Sequence, residues 1–297
     1  MGGGPNGDAV RPAFRIKAQD MSGALHLVAT PIGNLADITQ RALETLRTVD
    51  FVVCEDTRHS RILLDHYGIS ADTTSLPAFA EGQRAGRILD RLEAGESCAL
   101  ITDAGSPAIS DPGEALVAEA LERGIRVVPV PGPVALIAAL SASGLPTGRF
   151  HFLGFLPRSG PERGELLAEV APLRATLLIY ESPRRVGATL EDLARALGGG
   201  RRACLARELT KRFETFERGT LDELALRFAD AEVLGEIVLV VEGRRGSGRW
   251  SEDEVKAALA SGLERGERLK ALSNEVAKEA GWTGADVYRL GLGLKQR

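Results

Sequence analysis

The sequence has little cysteine, few aromatic residues and no long apolar run. Its 297 residues include three cysteines, and 5% are aromatic. No apolar run approaches the roughly 20 residues of a membrane span, and residues 1–22 lack the hydrophobic stretch of a secretion signal. Cys54, Cys98 and Cys204 are odd in number and lie far apart in apolar stretches. We therefore expect buried, reduced thiols in a cytoplasmic protein that has no membrane partner.

The sequence also lacks the usual motifs for metals and for phosphate groups. The four histidines are scattered and form no CxxC-like or HExxH-like ligand pair, so we expect no metal site. No G-x-G-x-x-G and no P-loop follows a predicted strand. Nicotinamide-dependent and ATP-dependent enzymes are therefore disfavoured.

An excess of positive charge is missing as well. The formal net charge is −4, which argues against indiscriminate binding of nucleic acid and against DNA as a partner. Residues 174–219 nevertheless hold ten basic and six acidic residues, so a polyanion is expected to meet the protein there. Solvated helix and hairpin faces that happen to be rich in arginine remain an alternative.

Apolar strand-like runs alternate with helical patterns in the first half, which favours a mostly parallel sheet with helices on its faces. The predicted strands are Leu25–Ala29, Phe51–Cys54, Cys98–Thr102 and Arg126–Val130. Two apolar stripes at helical spacing lie between them, at residues 38–49 and 88–92.

A second unit is predicted after the Gly- and Pro-containing loop at 144–148, with five strands and two helices. The expected helix starts are Ser182-Pro183, as N-cap and first residue, and a capping box at Thr220. A linker-like stretch after Gly243 precedes a capping box at Ser251 and two or three short helices. The expected organisation is a disordered leader (1–22), an N-terminal α/β domain (23–143), a second α/β domain (144–245) and a helical appendage (250–297).

Three stretches carry residues suited to ligand binding. The turn after the first strand contains Pro31, which has no N–H to give to a phosphate, so the ligand there is expected to be uncharged or cationic. The segment 102–113 places small residues and two aspartates at the carboxyl end of a strand, where open α/β sheets bind ligands. The segment 128–144 offers an apolar wall. Taken singly, the second stretch could be a capped turn and the third ordinary core.

Taken together, these stretches resemble a known family. The ordered motifs TPIGNL, CEDTR, DAGSPAISDPG, PGPVALIAAL, FLGFLPR and YESPRR are similar to the tetrapyrrole methylase superfamily and, within it, to the ribosomal RNA small subunit methyltransferase I family. The resemblance runs from about Gly23 to the C-terminus. It implies a two-domain tetrapyrrole-methylase-like α/β fold with the cofactor cleft between the domains, a homodimer, and S-adenosylmethionine as cofactor. That cofactor carries a sulfonium and no phosphate, so it tolerates a proline in the first turn.

The resemblance also implies site residues. Expected cofactor contacts are Pro31, Ile32, Asp103, Ala104, Gly105, Ser106, Ile109, Val134, Ala135, Glu181 and Leu209. The first turn departs from the superfamily's commoner form, with Ile32 and Asn34 where proline and aspartate are usual. Expected substrate contacts are Glu55, Asp56, Arg58, Arg61, Arg184 and Arg185, with Glu55 or Asp56 alternatively orienting the arginines.

The implied reaction is methylation of the ribose 2′-oxygen of a cytidine in the decoding region of 16S ribosomal RNA, free or within the small subunit. Such a hydroxyl needs its proton accepted or its developing charge stabilised. The expected catalytic residues are Lys211, Glu208 and Glu181, with Lys211 as a stabilising cation, or as a base if nearby arginines depress its pKa.

Three other interpretations stay open at this point. The charged residues could form an ion-pair network that only holds the domains together. The protein could methylate a carbon of a tetrapyrrole, or it could be a non-catalytic ribosome assembly factor.

Overall fold

The computed structural model describes residues 23–77, 81–244 and 250–295, and its chain forms two compact units that divide after Val134. The expected leader and residues 245–249 of the expected linker lie outside the described residues. Among the residues described, no helix is both long and apolar enough to cross a membrane.

The first unit is built on a five-stranded parallel sheet in the order β3-β2-β4-β1-β5. Its strands are β1 (Ala24–Val28), β2 (Phe51–Cys54), β3 (Asp72–Ser75), β4 (Cys98–Ile101) and β5 (Arg126–Val130). Its helices are α1 (Gln40–Thr48), α2 (Thr57–His66), α3 (Glu81–Glu93) and α4 (Glu114–Glu122). The predicted parallel sheet is confirmed.

Apolar clusters cover both faces of this sheet, which explains why its central strands are apolar throughout. The stripe at residues 88–92 packs on one face and the stripe at residues 38–49 on the other, as predicted. β3 was not among the predicted strands: its Asp-Thr-Thr-Ser sequence is polar, as an edge strand of the sheet can be.

The second unit contains a mixed five-stranded sheet in the order β6-β7-β10-β8-β9. Its strands are β6 (Phe150–Phe155), β7 (Thr176–Glu181), β8 (Arg202–Arg207), β9 (Thr215–Thr220) and β10 (Ile237–Val241). Its helices are α5 (Ala135–Ser143), α6 (Pro161–Val170), α7 (Val186–Leu197) and α8 (Leu221–Phe228). Because α5 packs on β7, β8 and β10, the units divide before this helix rather than between residues 143 and 144.

Two predictions concern the residues at which helices of this unit begin. Thr220 forms both hydrogen bonds of the expected capping box with Glu223. The helix predicted from Ser182 begins instead at Val186, so that prediction is wrong. The Ser182 N–H donates to the Glu181 carboxylate and the Ser182 carbonyl accepts from the Arg185 N–H, so residues 182–185 form a separate turn.

Three helices end the chain: α9 (Glu252–Glu264), α10 (Leu269–Ala280) and α11 (Gly284–Lys295). The predicted capping box at Ser251 is present, and Gly281 ends α10 in the left-handed conformation. The helices share their own apolar cluster, which includes Val255, Leu272 and Val287. The three cysteines are free and buried, as expected.

Candidate active site

Two of the segments expected to hold the cofactor are bonded to each other. The Thr30 N–H donates to the Gly105 carbonyl at 2.8 Å, and the Gly105 N–H donates back to the Thr30 carbonyl at 3.1 Å. The Thr30 hydroxyl also donates to the Thr102 carbonyl at 3.0 Å. β1 and β4 are parallel neighbours, so their carboxyl ends lie at one edge of the sheet and the two segments that follow them come together there. The turn after β1 and the loop after β4 therefore form one surface.

The residues of this surface differ in exposure. Pro31 and Ile32 are buried, and Gly105 has a φ of +86° with an added Cβ only 3.4 Å from Ile32 Cγ2. The accessible or half-buried residues of this surface are Asp103, Ala104, Ser106 and Ile109. Val134, which ends the first unit, and Ala135, which begins the second, are half-buried. Ile109 is 45% exposed, so an apolar contact is open to a ligand.

The loop after β4 contains two residues in a strained conformation. Ala108 and Ser110 both have a φ of 64°, in the left-handed region that side chains rarely adopt. Such strain persists only where the surroundings enforce it, and it is common in ligand-binding loops.

The acidic groups at this edge favour a positively charged ligand. Burial raises the pKa of Glu55, and the negative charges of Asp103, Asp111 and Asp56 raise it further. Burial also raises the pKa of Asp111, and the negative charge of Asp103 raises it further. The Asp103 Oδ1 is buried and accepts no hydrogen bond within the described part of the chain. A cationic ligand that also carries hydrogen-bond donors, such as S-adenosylmethionine, fits this set of residues.

Asp56 is bonded to Arg58, one of the arginines expected to contact the substrate. Its carboxylate accepts from the Arg58 backbone N–H at 2.8 Å and from the Arg58 guanidinium at 2.7 Å. The hydrogen bonds from Arg58 lower the pKa of Asp56 to about 2. The Arg58 side chain is 89% exposed, and Arg61 is exposed on the next turn of α2.

Lys211 lies in the connection between β8 and β9, between two glutamates. Its Nζ is 2.9 Å from Glu208 Oε1 and 3.0 Å from Glu236 Oε2. Glu208 and Thr210 have positive φ values of 52° and 65°, and Leu209 between them is buried. The expected catalytic pair Lys211 and Glu208 is therefore brought together, and Glu236 is a partner that sequence reasoning missed.

The ion pairs decide the protonation state of this lysine. Burial by itself would lower the pKa of Lys211, but hydrogen bonds to Glu208 and Glu236 raise it overall. The Lys211 ammonium in turn lowers the pKa of Glu208. The expectation that Lys211 could be a base through a depressed pKa is thus wrong, because two carboxylates, not arginines, are its charged partners.

Glu181 lies in a buried network at the end of β7. Its Oε2 accepts from the Thr189 hydroxyl at 2.6 Å, and its Oε1 accepts from the Ser182 N–H and lies 3.3 Å from Arg185 Nε. Buried Arg163 donates to Thr189 Oγ1 at 3.0 Å. This carboxylate is already engaged on both oxygens, so the geometry gives it a positioning role in the 182–185 turn.

Most basic residues of the 174–219 segment are used inside the protein. Four form ion pairs: Arg185, Arg195, Arg202 and Lys211. Three donate to carbonyl or hydroxyl oxygens: Arg201, Arg207 and Arg218. Arg174, Arg184 and Arg212 have no hydrogen bond or ion pair with another described residue, so they are the cations available to a polyanion.

Comparison with known proteins identifies the family. The family model "Tetrapyrrole (Corrin/Porphyrin) Methylases" matches residues 24–225. The chain is 47% identical to the ribosomal RNA small subunit methyltransferase I of Mesorhizobium japonicum, over 94% of this chain and 95% of that protein. It is 44% identical to the protein of the same name from Synechocystis, over 92% of this chain and 99% of the relative.

Solved structures show the same fold at low identity. A cobalt precorrin-4 methyltransferase has a TM-score of 0.58 at 18% identity, covering 74% of this chain and 95% of its own. A diphthine synthase has a TM-score of 0.59 at 19% identity, covering 74% and 90%. The chain belongs to the tetrapyrrole methylase family and, within it, to the ribosomal RNA small subunit methyltransferase I family, whose methyl donor is S-adenosylmethionine.

Proposed function

We propose that the protein transfers a methyl group from S-adenosylmethionine to the ribose 2′-oxygen of a cytidine in the decoding region of 16S ribosomal RNA. The observation that carries the proposal is the similarity over nearly the whole chain to relatives named for methylation of small-subunit ribosomal RNA. The choice of a cytidine and of the 2′-oxygen rests on the motif resemblance. The arrangement around Lys211 suits a reaction in which a hydroxyl oxygen becomes negatively charged.

The first unit offers the residues that would hold the cofactor. When bound, S-adenosylmethionine supplies an electrophilic methyl group on a positively charged sulfur. The carboxylates of Asp103 and its neighbours complement that charge, and Asp103 Oδ1 is an acceptor for a ligand donor. Cofactor contacts are proposed at Pro31, Ile32, Asp103, Ala104, Gly105, Ser106, Ile109 and Val134, with Ala135, Glu181 and Leu209 from the second unit.

Lys211 is proposed to stabilise the developing oxyanion. Its raised pKa keeps it charged at neutral pH, and the two glutamates hold its ammonium in a fixed position. A preorganised cation needs little rearrangement as negative charge forms on the oxygen, which is the basis of electrostatic catalysis. Glu208 acts here by orienting Lys211.

Three exposed arginines and the half-buried Arg185 are proposed to bind the RNA backbone. Arg58 and Arg61 lie on α2, Arg184 is exposed on the turn after β7, and Arg185 is anchored there by Glu181. Contacts of this kind fix the register of an RNA without reading its sequence. Glu55 and Asp56 are assigned to the same surface. We further propose that the protein works as a homodimer in the cytoplasm, on ribosomal RNA or the small subunit.

Label transfer tests the proposal. Purified protein is incubated with methyl-labelled S-adenosylmethionine and, in separate reactions, with small subunits lacking their modifications, with naked ribosomal RNA and with a tetrapyrrole precursor. Label in RNA, at a ribose that then resists alkaline cleavage, is expected. Label only in the tetrapyrrole would contradict the proposal, and cofactor binding without any labelled product would favour a non-catalytic assembly factor.

A further inference from the structure

A large aromatic ring is exposed two residues after Lys211. The side chain of Phe213 is 65% exposed, in the connection between β8 and β9. The guanidinium carbon of Arg212 lies 5.5 Å from the centroid of that ring. Leaving a phenyl ring in water forgoes the free energy of burying it, and a ligand that covers the ring beside the proposed catalytic Lys211 would recover it.

The backbone around Phe213 is held by hydrogen bonds. The Lys211 N–H donates to the Glu208 carbonyl at 2.9 Å, and the Glu214 N–H donates to the Lys211 carbonyl at 3.2 Å. The Thr210 N–H donates to the Glu214 carboxylate at 2.7 Å. The ring is thus presented on a defined turn, which lowers the entropy cost of binding something against it.

The charges beside the ring indicate what that ligand is. Arg212 has no hydrogen bond or ion pair with any other described residue, so its charge is available to a phosphate. Arg218, beside Phe216, differs because its guanidinium already donates to the Ala142 and Ser143 carbonyls at the end of α5. An aromatic ring next to a free arginine is the combination with which proteins bind unpaired nucleotides, through base stacking and backbone contact.

We propose that Phe213 is a stacking platform for an unpaired base of the substrate RNA, and that Arg212 contacts the adjoining phosphate. This inference rests on the proposed function and adds a binding subsite for one nucleotide near the methylated ribose. A second copy of the chain fits this surface less well, because the ring is flanked in sequence by Lys211 and Glu214, and lysine and glutamate are depleted at protein interfaces. The position next to Lys211 places the stacked base close to the reacting hydroxyl.

Substitutions that separate stacking from apolar bulk test the platform. Phe213→Leu keeps an apolar side chain but removes the aromatic face, whereas Phe213→Trp keeps the face. The matched control is Leu226→Ala on α8, where the native side chain is 84% exposed. Affinity for a fluorescent single-stranded fragment of the ribosomal RNA is measured by anisotropy, with folding checked by thermal melting and self-association by sedimentation.

We expect Phe213→Leu to weaken RNA binding by roughly 5- to 150-fold, the range for loss of one stacked base, and Phe213→Trp and Leu226→Ala to match the wild type. Arg212→Gln should reduce the slope of log Kd against log salt concentration by about 0.7, the value for one phosphate of a single strand. This second variant keeps the test decisive if Phe213→Leu fails to fold.

Unchanged RNA affinity in Phe213→Leu, while the wild type methylates RNA, would overturn the platform and leave the proposed function standing. Altered self-association with unchanged RNA affinity would also overturn it, by assigning the ring to an interface between copies. If the wild type transfers no label to RNA at all, the proposed function itself fails.

Discussion

At the scale of single residues, Lys211 shows how neighbours decide a chemical role. A lysine flanked by arginines in sequence is suited to a depressed pKa, but the fold places Glu208 and Glu236 against its ammonium instead. The lysine therefore stays charged and is held in place. Its role in the proposed reaction follows from that charge rather than from any ability to accept a proton.

Replacement of this lysine should affect turnover more than binding. For Lys211→Ala we expect a 100- to 1000-fold lower kcat, the usual effect of removing one oxyanion-stabilising group, with unchanged affinity for S-adenosylmethionine. Single-turnover transfer to small subunits and calorimetric titration of the cofactor measure the two quantities. Glu236→Gln should lower kcat much less, because it leaves Lys211 paired with Glu208. Undiminished turnover in Lys211→Ala would remove this residue from the mechanism.

The pH dependence follows from the same ion pairs. The pKa of Lys211 is raised from 10.5, so its pairing stabilises the fold below the unfolded pKa and is lost as pH rises through the folded pKa. The pKa of Glu208 is lowered, so the stability that its pairing contributes is lost only as the pH falls through the pKa that Glu208 has in the folded state. Between those limits both charges are present, and we expect the wild-type rate divided by the Lys211→Arg rate to be flat from pH 6 to about 9. A ratio that rises with pH would indicate a lysine acting as a base.

At the scale of elements, a buried polar network connects α6, β7 and α7. Arg163 is 7% exposed and donates to Asp192, to the Pro157 carbonyl and to Thr189, which itself donates to Glu181. A buried charge of this kind is tolerated because its donors are satisfied. The network fixes the turn that carries Arg184 and Arg185.

Removing one hydroxyl from this network should destabilise the protein. Thr189→Val leaves Glu181 Oε2 and one Arg163 donor without their shared partner, and we expect the free energy of unfolding to fall by about 1–3 kcal/mol. Thr48→Val is the control, since its hydroxyl donates to the Glu44 carbonyl at an exposed helix position and should cost less than about 0.5 kcal/mol. Urea denaturation measures both. Equal effects of the two substitutions would contradict the proposed importance of the network.

The elements that sequence predicted are those whose signal is local. β2 and β5 begin and end where their apolar runs do, and both predicted capping boxes form. β3 is polar, and only its pairing with β2 makes it a strand. Residues before α7 form a separate turn in which the Ser182 N–H donates to the Glu181 carboxylate, a contact that short-range patterns do not reveal.

The same distinction applies to the candidate site. The Thr30–Gly105 bridge could be anticipated, because parallel neighbouring strands end at one edge. Glu236 could not, since it lies 25 residues beyond Lys211 and approaches it only through the pairing of β10 with β8. The positive charge of residues 174–219 suggested more cations for RNA binding than the fold leaves available. Most of these basic side chains form ion pairs or hydrogen bonds within the protein.

At the scale of the whole molecule, the three C-terminal helices form a cluster with their own apolar core. Their contacts with the preceding residues include the Arg174 guanidinium, 5.2 Å from the Trp250 ring, and an ion pair between Arg244 and Glu254. The sheet cores contain none of the residues of this cluster. A role in docking the RNA or the ribosomal subunit remains a proposal based on resemblance.

Truncation tests that role. Because the helices pack mainly on each other, deletion of residues 251–297 should leave both sheets folded and the affinity for S-adenosylmethionine unchanged. We expect a lower apparent affinity for the small subunit, seen as a higher KM in label transfer. Calorimetry with the cofactor serves as the folding control. Full activity of the truncated chain on the natural substrate would dismiss a docking role.

The central claim is that the product is a ribose-methylated cytidine of small-subunit RNA. The most direct measurement is mass spectrometry of nucleosides from unmodified small subunits after incubation with the protein and S-adenosylmethionine. We expect one new nucleoside, 2′-O-methylcytidine, in the wild-type reaction and far less of it with Lys211→Ala. A methyl group on a base, on another nucleoside, or only on an added tetrapyrrole would contradict it.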